Sequence, residues 1–234
     1  MSARVTTTGA PRNADERRIR RMCVDAEHAG RPVSRTPAVG IDDAEWFERH
    51  GFVAVQRLVV LRRDLSDIGS LVRHAADGCA NISTHGIARH WQRGRDRSLC
   101  DTLVALDATG FAADWRLTTD ALVHACRSTP IHRVVVAHDE AQQTANRIGY
   151  LVLGIAADLA YLQRLVVAPQ HRTQGVATRL VAHSLIWAHT NGARAVLVNT
   201  ECDNVAALAL YRRMGFITQP SSLVVLERTR ETYN

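Results

Sequence analysis

Two clusters in the C-terminal half of this chain have residue types and spacing that could do chemistry. The first is Val167-Ala168-Pro169-Gln170-His171-Arg172-Thr173-Gln174-Gly175-Val176-Ala177, which follows the apolar run 162–167 and opens an amphipathic stretch. The pattern predicts a strand end, a turn and a helix start. The first N–H groups of a helix have no internal partner, and the helix dipole places partial positive charge at the same end. Such a junction suits an anion. Gly175 would let a bulky ligand approach the backbone. The second cluster is Asn204, Leu208 and Tyr211, spaced so that they share one helix face. Asn204 and Tyr211 would lie about 10 Å apart along that helix, so a long, thin ligand arm could run past both.

The elements that must position these clusters follow from periodicity. Residues 1–40 contain Pro11, Pro32 and Pro37, lack periodicity, and read as a mostly unstructured basic tail. Residues 41–84 read as a helix and strand extension, with a helix at 44–50, a turn at Gly51, a strand at 58–61 and a boundary loop over 77–88. A main domain is expected over 85–234. It would hold a first strand at 87–91, helices at 96–107 and 118–126, and a strand at 131–137. The second helix would be capped by Thr118 or Thr119. Strands at 147–155 and 159–167 would form a hairpin through Ala156-Ala157-Asp158. A helix at 175–189, a strand at 195–199, a helix at 204–214 and strands at 216–218 and 223–228 complete the list. Several strands followed by strand–helix–strand–helix predict an α/β (α+β) fold with a mixed sheet.

One internal echo is visible. Trp46-Phe47-Glu48-Arg49-His50-Gly51-Phe52, ending in Leu58-Val59-Val60-Leu61, parallels Leu210-Tyr211-Arg212-Arg213-Met214-Gly215-Phe216, ending in Leu223-Val224-Val225-Leu226. It reads either as the remnant of a duplicated domain or as a coincidence between two ordinary apolar strands.

Composition narrows the function. The 234 residues are 46% hydrophobic, enough for a substantial core, and include no lysine. That excludes a lysine Schiff base and a P-loop lysine. Eight arginines against four carboxylates within residues 1–40 account for four of the six net positive charges. The basic character thus belongs to a tail, which argues against a nucleic-acid partner. Five scattered cysteines with no CxxC pair suit reduced thiols, not a disulfide framework or a zinc site. No signal-peptide pattern and no apolar run of about 18 residues is present, so a soluble cytoplasmic protein without membrane attachment is expected.

With these residues in view, the chain resembles the GCN5-related N-acetyltransferase (GNAT) superfamily. Arg172-x-x-Gly175-x-Ala177 is similar to its pyrophosphate loop. Asn204-x-x-Ala207-Leu208-x-Leu210-Tyr211-x-x-Met214-Gly215-Phe216 is similar to its second hallmark. The resemblance covers about 85–230. It implies a GNAT-type mixed sheet, splayed at its centre and flanked by helices, with residues 1–84 as an N-terminal extension. It implies acetyl-CoA as cosubstrate and no metal. Pantetheine would lie between strands 162–167 and 195–199, on backbone groups of Leu165, Val166 and Val167. The diphosphate would sit on Arg172, Thr173, Gln174, Gly175, Val176 and Ala177, with Asn204 and Tyr211 along the arm.

By the same resemblance, Tyr211 would hydrogen-bond or protonate the leaving thiolate. In the protein N-terminal acetyltransferase subgroup the expected base position falls on Asn199, which cannot act as a base, and the other central strand offers Gln163 and Arg164. Glu201 is the nearest carboxylate in sequence; His132 and His171 are weaker candidates. Trp115, with Phe111 and Asp114, would lie in the segment that forms one wall of the acceptor pocket. Plainer readings stand beside these: Gly175 as a helix start, Asn204 as an N-cap, Tyr211 and Trp115 as packing aromatics, Glu201 as a loop charge. The expected function is transfer of an acetyl group to a primary amine, on a small molecule or on a peptide or protein, by a monomer or homodimer. The alternative is a non-catalytic acyl-CoA-binding sensor or interaction module.

Overall fold

The computed structural model describes residues 33–67, 80–85, 95–139 and 146–229. Among them the order begins β1 (Val33–Arg35), β2 (Val39–Gly40), α1 (Ile41–Arg49), β3 (Val53–Asp64), β4 (Ala80–His85), α2 (Arg95–Asp107), a 3-10 turn (Ala113–Trp115) and α3 (Thr119–Arg127). It continues with β5 (Ile131–Asp139), β6 (Arg147–Ala156), β7 (Leu159–Val167), a second 3-10 turn (Pro169–His171), α4 (Val176–Thr190), β8 (Ala195–Glu201), α5 (Val205–Arg213) and β9 (Ile217–Thr229). These residues divide into two compact units, 33–59 with 220–229 and Val60–Gln219.

In the first unit, β1 and β2 pair antiparallel with β9, Val33 opposite Thr229 and Val39 opposite Val224. Between them, buried Thr36 donates its N–H to Leu226 O at 2.9 Å, and its Oγ1 accepts from Leu226 N at 3.0 Å. Residues 33–40 are therefore strand-paired, where the sequence predicts a tail. Their order comes from β9, which supplies backbone partners that local periodicity cannot reveal. Residues 1–32 lie outside the described set. Helix α1 buries Ala44 and Phe47 against Phe52, Val224 and Leu226. It ends with Gly51 at φ +81°. Gly51 N donates to Glu48 O, and Phe52 N to Phe47 O at 3.1 Å, which together close a Schellman cap.

The second unit is a mixed sheet between helical layers, as an α/β pattern requires. Strands β4, β5, β6 and β7 pair antiparallel in that order, and β7 pairs parallel with β8. Strand β4 lies where the sequence predicts a boundary loop. Its ANISTH composition carries little strand signal, and pairing along β5 overrides it. The strand expected at 87–91 lies outside the described residues. The hairpin forms as expected, with Ala157 in the left-handed region at φ +54°. The two terminal strands expected after α5 are one continuous strand, β9.

Helices α2 and α3 cover one face. Leu99, Leu103, Leu106, Leu122 and Val123 pack on Val134, Val136, Tyr150 and Val152. Each fully buried Val or Leu there contributes roughly 1.5–3 kcal/mol of transfer free energy. Helix α4 covers the opposite face, with Leu180 against Gly149. Between Val152 and Leu153 the β6–β7 register shifts, so that Val152 faces Arg164 while Leu153 faces Leu162. Gln163 is the extra residue of a β-bulge.

Candidate active site

Strands β7 and β8 run side by side only briefly. Their parallel ladder extends from Leu159 opposite Ala195 to Leu162 opposite Val198, yet β7 continues to Val167 and β8 to Glu201. Beyond Leu162 and Val198 the pair opens. Ala168 N donates to Ile148 O at 2.8 Å, so that end of β7 alternates its hydrogen-bonding groups from β6. By that alternation Leu165 and Val167 turn their N–H and C=O groups toward the opening. Val166 turns its own toward β6 and buries its side chain in the α2–α3 cluster.

The loop that follows is shaped by backbone geometry. Thr173 holds φ +62° and Gly175 φ +80°. A positive φ on a β-branched residue is costly and marks a constrained loop. A Cβ on Gly175 would meet nothing within 4 Å, so conformation and not space selects glycine there. Arg172 Nε donates to Val167 O at 3.2 Å, tying the loop to the end of β7, and Gln174 Nε2 donates to Gln170 O at 3.0 Å within the loop. Helix α4 starts at Gly175 with no side-chain cap and no acidic residue in its first turn. Its leading N–H groups and dipole carry partial positive charge that no side chain there offsets. Arg172, Thr173, Gln174 and Gly175 are exposed, Ala177 is half-buried, and Val176 is buried under the helix.

Helix α5 carries the second cluster. Asn204 caps it, accepting from Ala207 N at 3.1 Å. The cap uses Oδ1, and Asn204 is exposed. About two helix turns further on, Tyr211 is 4% exposed and packs its ring 5.4 Å from Phe216. Burial pushes the Tyr211 phenol above its ordinary value. On β8, Asn199 is exposed and Glu201 half-buried. Glu201 O accepts the Asn204 N–H at 3.2 Å, which links the end of β8 to the start of α5. Cys202 is an exposed free thiol in the turn between them.

A polar cluster that the sequence reading did not assign lies at the β7 bulge. Asp107, at the end of α2, is 0% exposed. Its carboxylate accepts from Arg164 Nε at 2.8 Å, Arg164 Nη2 at 2.7 Å, Tyr150 Oη at 2.6 Å and Leu117 N at 2.9 Å. Burial alone would raise the Asp107 carboxyl. The hydrogen bonds from Arg164, Tyr150 and Leu117, with the Arg164 charge, outweigh burial and hold it below its usual range. Arg164 Nη2 also donates to Trp115 O at 2.7 Å, and the guanidinium stacks 3.3 Å from the Phe111 ring centroid. Trp115 itself is half-buried in its 3-10 turn. The signal in the sequence was the polar pair Gln163 and Arg164 inside a largely apolar strand.

This fold is shared with solved structures. A tandem GNAT protein from the clavulanic acid biosynthesis pathway superposes over 95% of this chain and 72% of its own, with a TM-score of 0.61 and 17% identity. A GCN5-related N-acetyltransferase from Sphaerobacter thermophilus does so over 84% of this chain and 59% of its own, with a TM-score of 0.55 and 15% identity. The Acetyltransferase (GNAT) family model matches residues 100–216, half of the chain, and the chain belongs to that family. Among curated relatives, N-alpha-acetyltransferase 30 of Schizosaccharomyces pombe is 39% identical over 56 residues, 24% of this chain and 37% of that protein. Aminoglycoside N(6')-acetyltransferase type 1 of Acinetobacter haemolyticus is 33% identical over 58 residues, 25% of this chain and 40% of that protein. The matched segments thus span well under half the length of either relative.

Proposed function

We propose that this protein is an acetyl-CoA-dependent N-acetyltransferase that acetylates a primary amine by direct attack in a ternary complex. The observation that carries this reading is the opening between β7 and β8 beside the uncapped start of α4. Leu165 and Val167 offer main-chain groups along that opening, where pantetheine amides would bind. The N–H groups over 172–177 are arranged for a diphosphate, with Asn204 and Tyr211 along the arm. When bound, acetyl-CoA supplies an acyl group activated as a thioester.

Tyr211 serves as a hydrogen-bond donor at the leaving sulfur. An unshifted phenol titrates near ~10 and an alkyl thiol near ~8.5, so outright proton transfer is already uphill by about 2 kcal/mol. Burial of Tyr211 widens that gap. A hydrogen bond that strengthens as charge develops on sulfur is the chemistry that remains. The acceptor amine must lose its own proton. At pH 7 that costs about 4–5 kcal/mol for a lysine-type amine and about 1 kcal/mol for an α-amino group. Asp107 is committed to Arg164, and Asn199 has no basic atom. We assign the base role to Glu201, directly or through a water.

Curated relatives carry names of N-alpha- and aminoglycoside acetyltransferases, so both peptide and small-molecule amines belong in the test. Thiol release from acetyl-CoA should appear with at least one member of a panel of peptide N-termini, polyamines and aminoglycosides. Micromolar acetyl-CoA binding without release from any of them would favour the sensor reading. The second reading has one observation in its favour, the lack of any carboxylate along the β7 sequence. We also propose that residues 41–84 are the remnant of a second repeat, on the strength of the echo around Gly51 and Gly215.

A further inference from the structure

The geometry points to Arg164 as the positioning residue for the acceptor side of the site, and the inference rests on the acetyltransferase reading above. Arg164 sits at the β-bulge of β7, immediately before Leu165, whose backbone faces the β7–β8 opening. From there one guanidinium holds the end of α2 and two points of the segment between α2 and α3. It forms a two-pronged ion pair with Asp107, stacks on Phe111 and donates to Trp115 O. Asp107 in turn accepts from Leu117 N, so both ends of the segment are fastened to the same pair. Arg164 is 14% exposed, and Asp107 is fully buried.

The bulge makes this possible. It places Gln163 and Arg164 side by side toward the helices, Gln163 Nε2 donating to Ser128 Oγ at 3.0 Å just past α3. The strand that would lie along the thioester is thereby tied directly to the segment that would face the amine. A planar guanidinium can hold a carboxylate with two parallel bonds while still reaching a carbonyl and presenting a face to an aromatic ring. An ammonium cannot do all three. Arg164 therefore sets the distance between Trp115 and the central strand, and through it which amines fit. It does not touch the reacting atoms. Its charge is neutralised by Asp107, so an incoming ammonium meets no net repulsion there.

The test uses the full chain with Arg164→Met and Arg164→Lys. Calorimetry gives the acetyl-CoA Kd, and steady-state kinetics with the fastest amine of the panel give KM and kcat. Acrylamide quenching of Trp115, in a background with Trp46, Trp91 and Trp187 changed to Phe, reports the segment without any turnover. For Arg164→Met we expect an acetyl-CoA Kd within threefold of wild type, an amine KM raised at least tenfold, and Trp115 quenching raised at least twofold. Arg164→Lys should fall between. Unchanged amine KM and quenching would overturn the inference, as would an acetyl-CoA Kd that weakens in step with KM. Should Arg164→Met not fold, the double variant Asp107→Asn with Arg164→Met, which removes both charges, carries the same readings. If wild type binds no acetyl-CoA, the functional reading falls and the acceptor role of Arg164 with it. The quenching then still decides whether Arg164 holds the segment.

Discussion

The segment around Gly51 and the segment around Gly215 are built by the same local rules and differ by one hydroxyl at the aromatic position they share. Helices α1 and α5 are each nine residues long. Each ends in a glycine in the left-handed region, Gly51 at φ +81° and Gly215 at φ +78°. In each, the next phenylalanine donates its N–H five residues back, Phe52 to Phe47 and Phe216 to Tyr211. In each, the same two side chains pack ring to ring, with centroids 5.3 Å and 5.4 Å apart. The aromatic residue at the third position from the helix end is Phe47 in one and Tyr211 in the other. The starts also differ. Asn204 caps α5 with its side chain, whereas Gly40 leaves α1 without a side-chain cap. Helix stop, turn and strand entry are thus generic, and the Gly215 segment adds one hydroxyl, the group proposed above to face the leaving sulfur.

That comparison can be broken by experiment. The largest effect is expected at the hydroxyl. Tyr211→Phe turns α5 into an α1-like device and should lower kcat about 10²-fold, or roughly 2.7 kcal/mol of barrier, while acetyl-CoA affinity stays within threefold. Equal loss in kcat and in affinity would place Tyr211 in binding and erase the proposed difference. Next come the glycines. Gly51→Ala and Gly215→Ala force an L-residue into the left-handed region and should each destabilise by about 1–2 kcal/mol in urea titrations. At Gly215 a Cβ would also meet the Arg63 guanidinium, but that is the far end of a flexible side chain and can move aside, so the two losses should be similar. A neutral result at either site would show that its cap is not a Schellman turn in solution.

The helix starts give smaller shifts of opposite sign. Asn204→Ala should cost about 1 kcal/mol by removing the cap. Gly40→Ser should gain a few tenths of a kcal/mol. Gly40 has a φ of −63° and open space for a Cβ, so a serine fits without strain. A loss from Gly40→Ser would mean that α1 starts elsewhere. The finest distinction is in alkaline stability. Burial raises the folded-state pKa of Tyr211 above its ordinary value of about 10. Its contribution is therefore complete below pH ~10 and fades as pH rises toward the folded value. Thermal melts across pH 9–11 should fall more steeply for wild type than for Tyr211→Phe. Parallel slopes would show that the phenol is not buried.

Much of the site was legible because its signals are local. The apolar run before Val167, the glycine at 175 and the Asn204 cap each follow from a few neighbouring residues, and the helices start where these signals placed them. Thr118 likewise caps α3, accepting from Ala121 N at 3.2 Å. Strand β4 and the pairing of 33–40 were not legible, because their order is borrowed from β5 and β9. Val166 was grouped with Leu165 and Val167 along the opening. The register of Ala168 with Ile148, set across strands, turns its backbone toward β6.

By itself the sequence determined where α3, α4 and α5 begin, that Asn204 stands at the start of α5, and that a strand end, a turn and a helix start follow one another over 167–177. Those properties depend on hydrogen bonds and steric limits within a few residues of each other. Only the tertiary structure decided where β7 and β8 part, and that Arg164 pairs with Asp107, 57 residues away. Neither partner is marked locally. A buried charge is tolerated only where the fold delivers its counter-charge and hydrogen bonds together, and here a one-residue bulge makes that delivery.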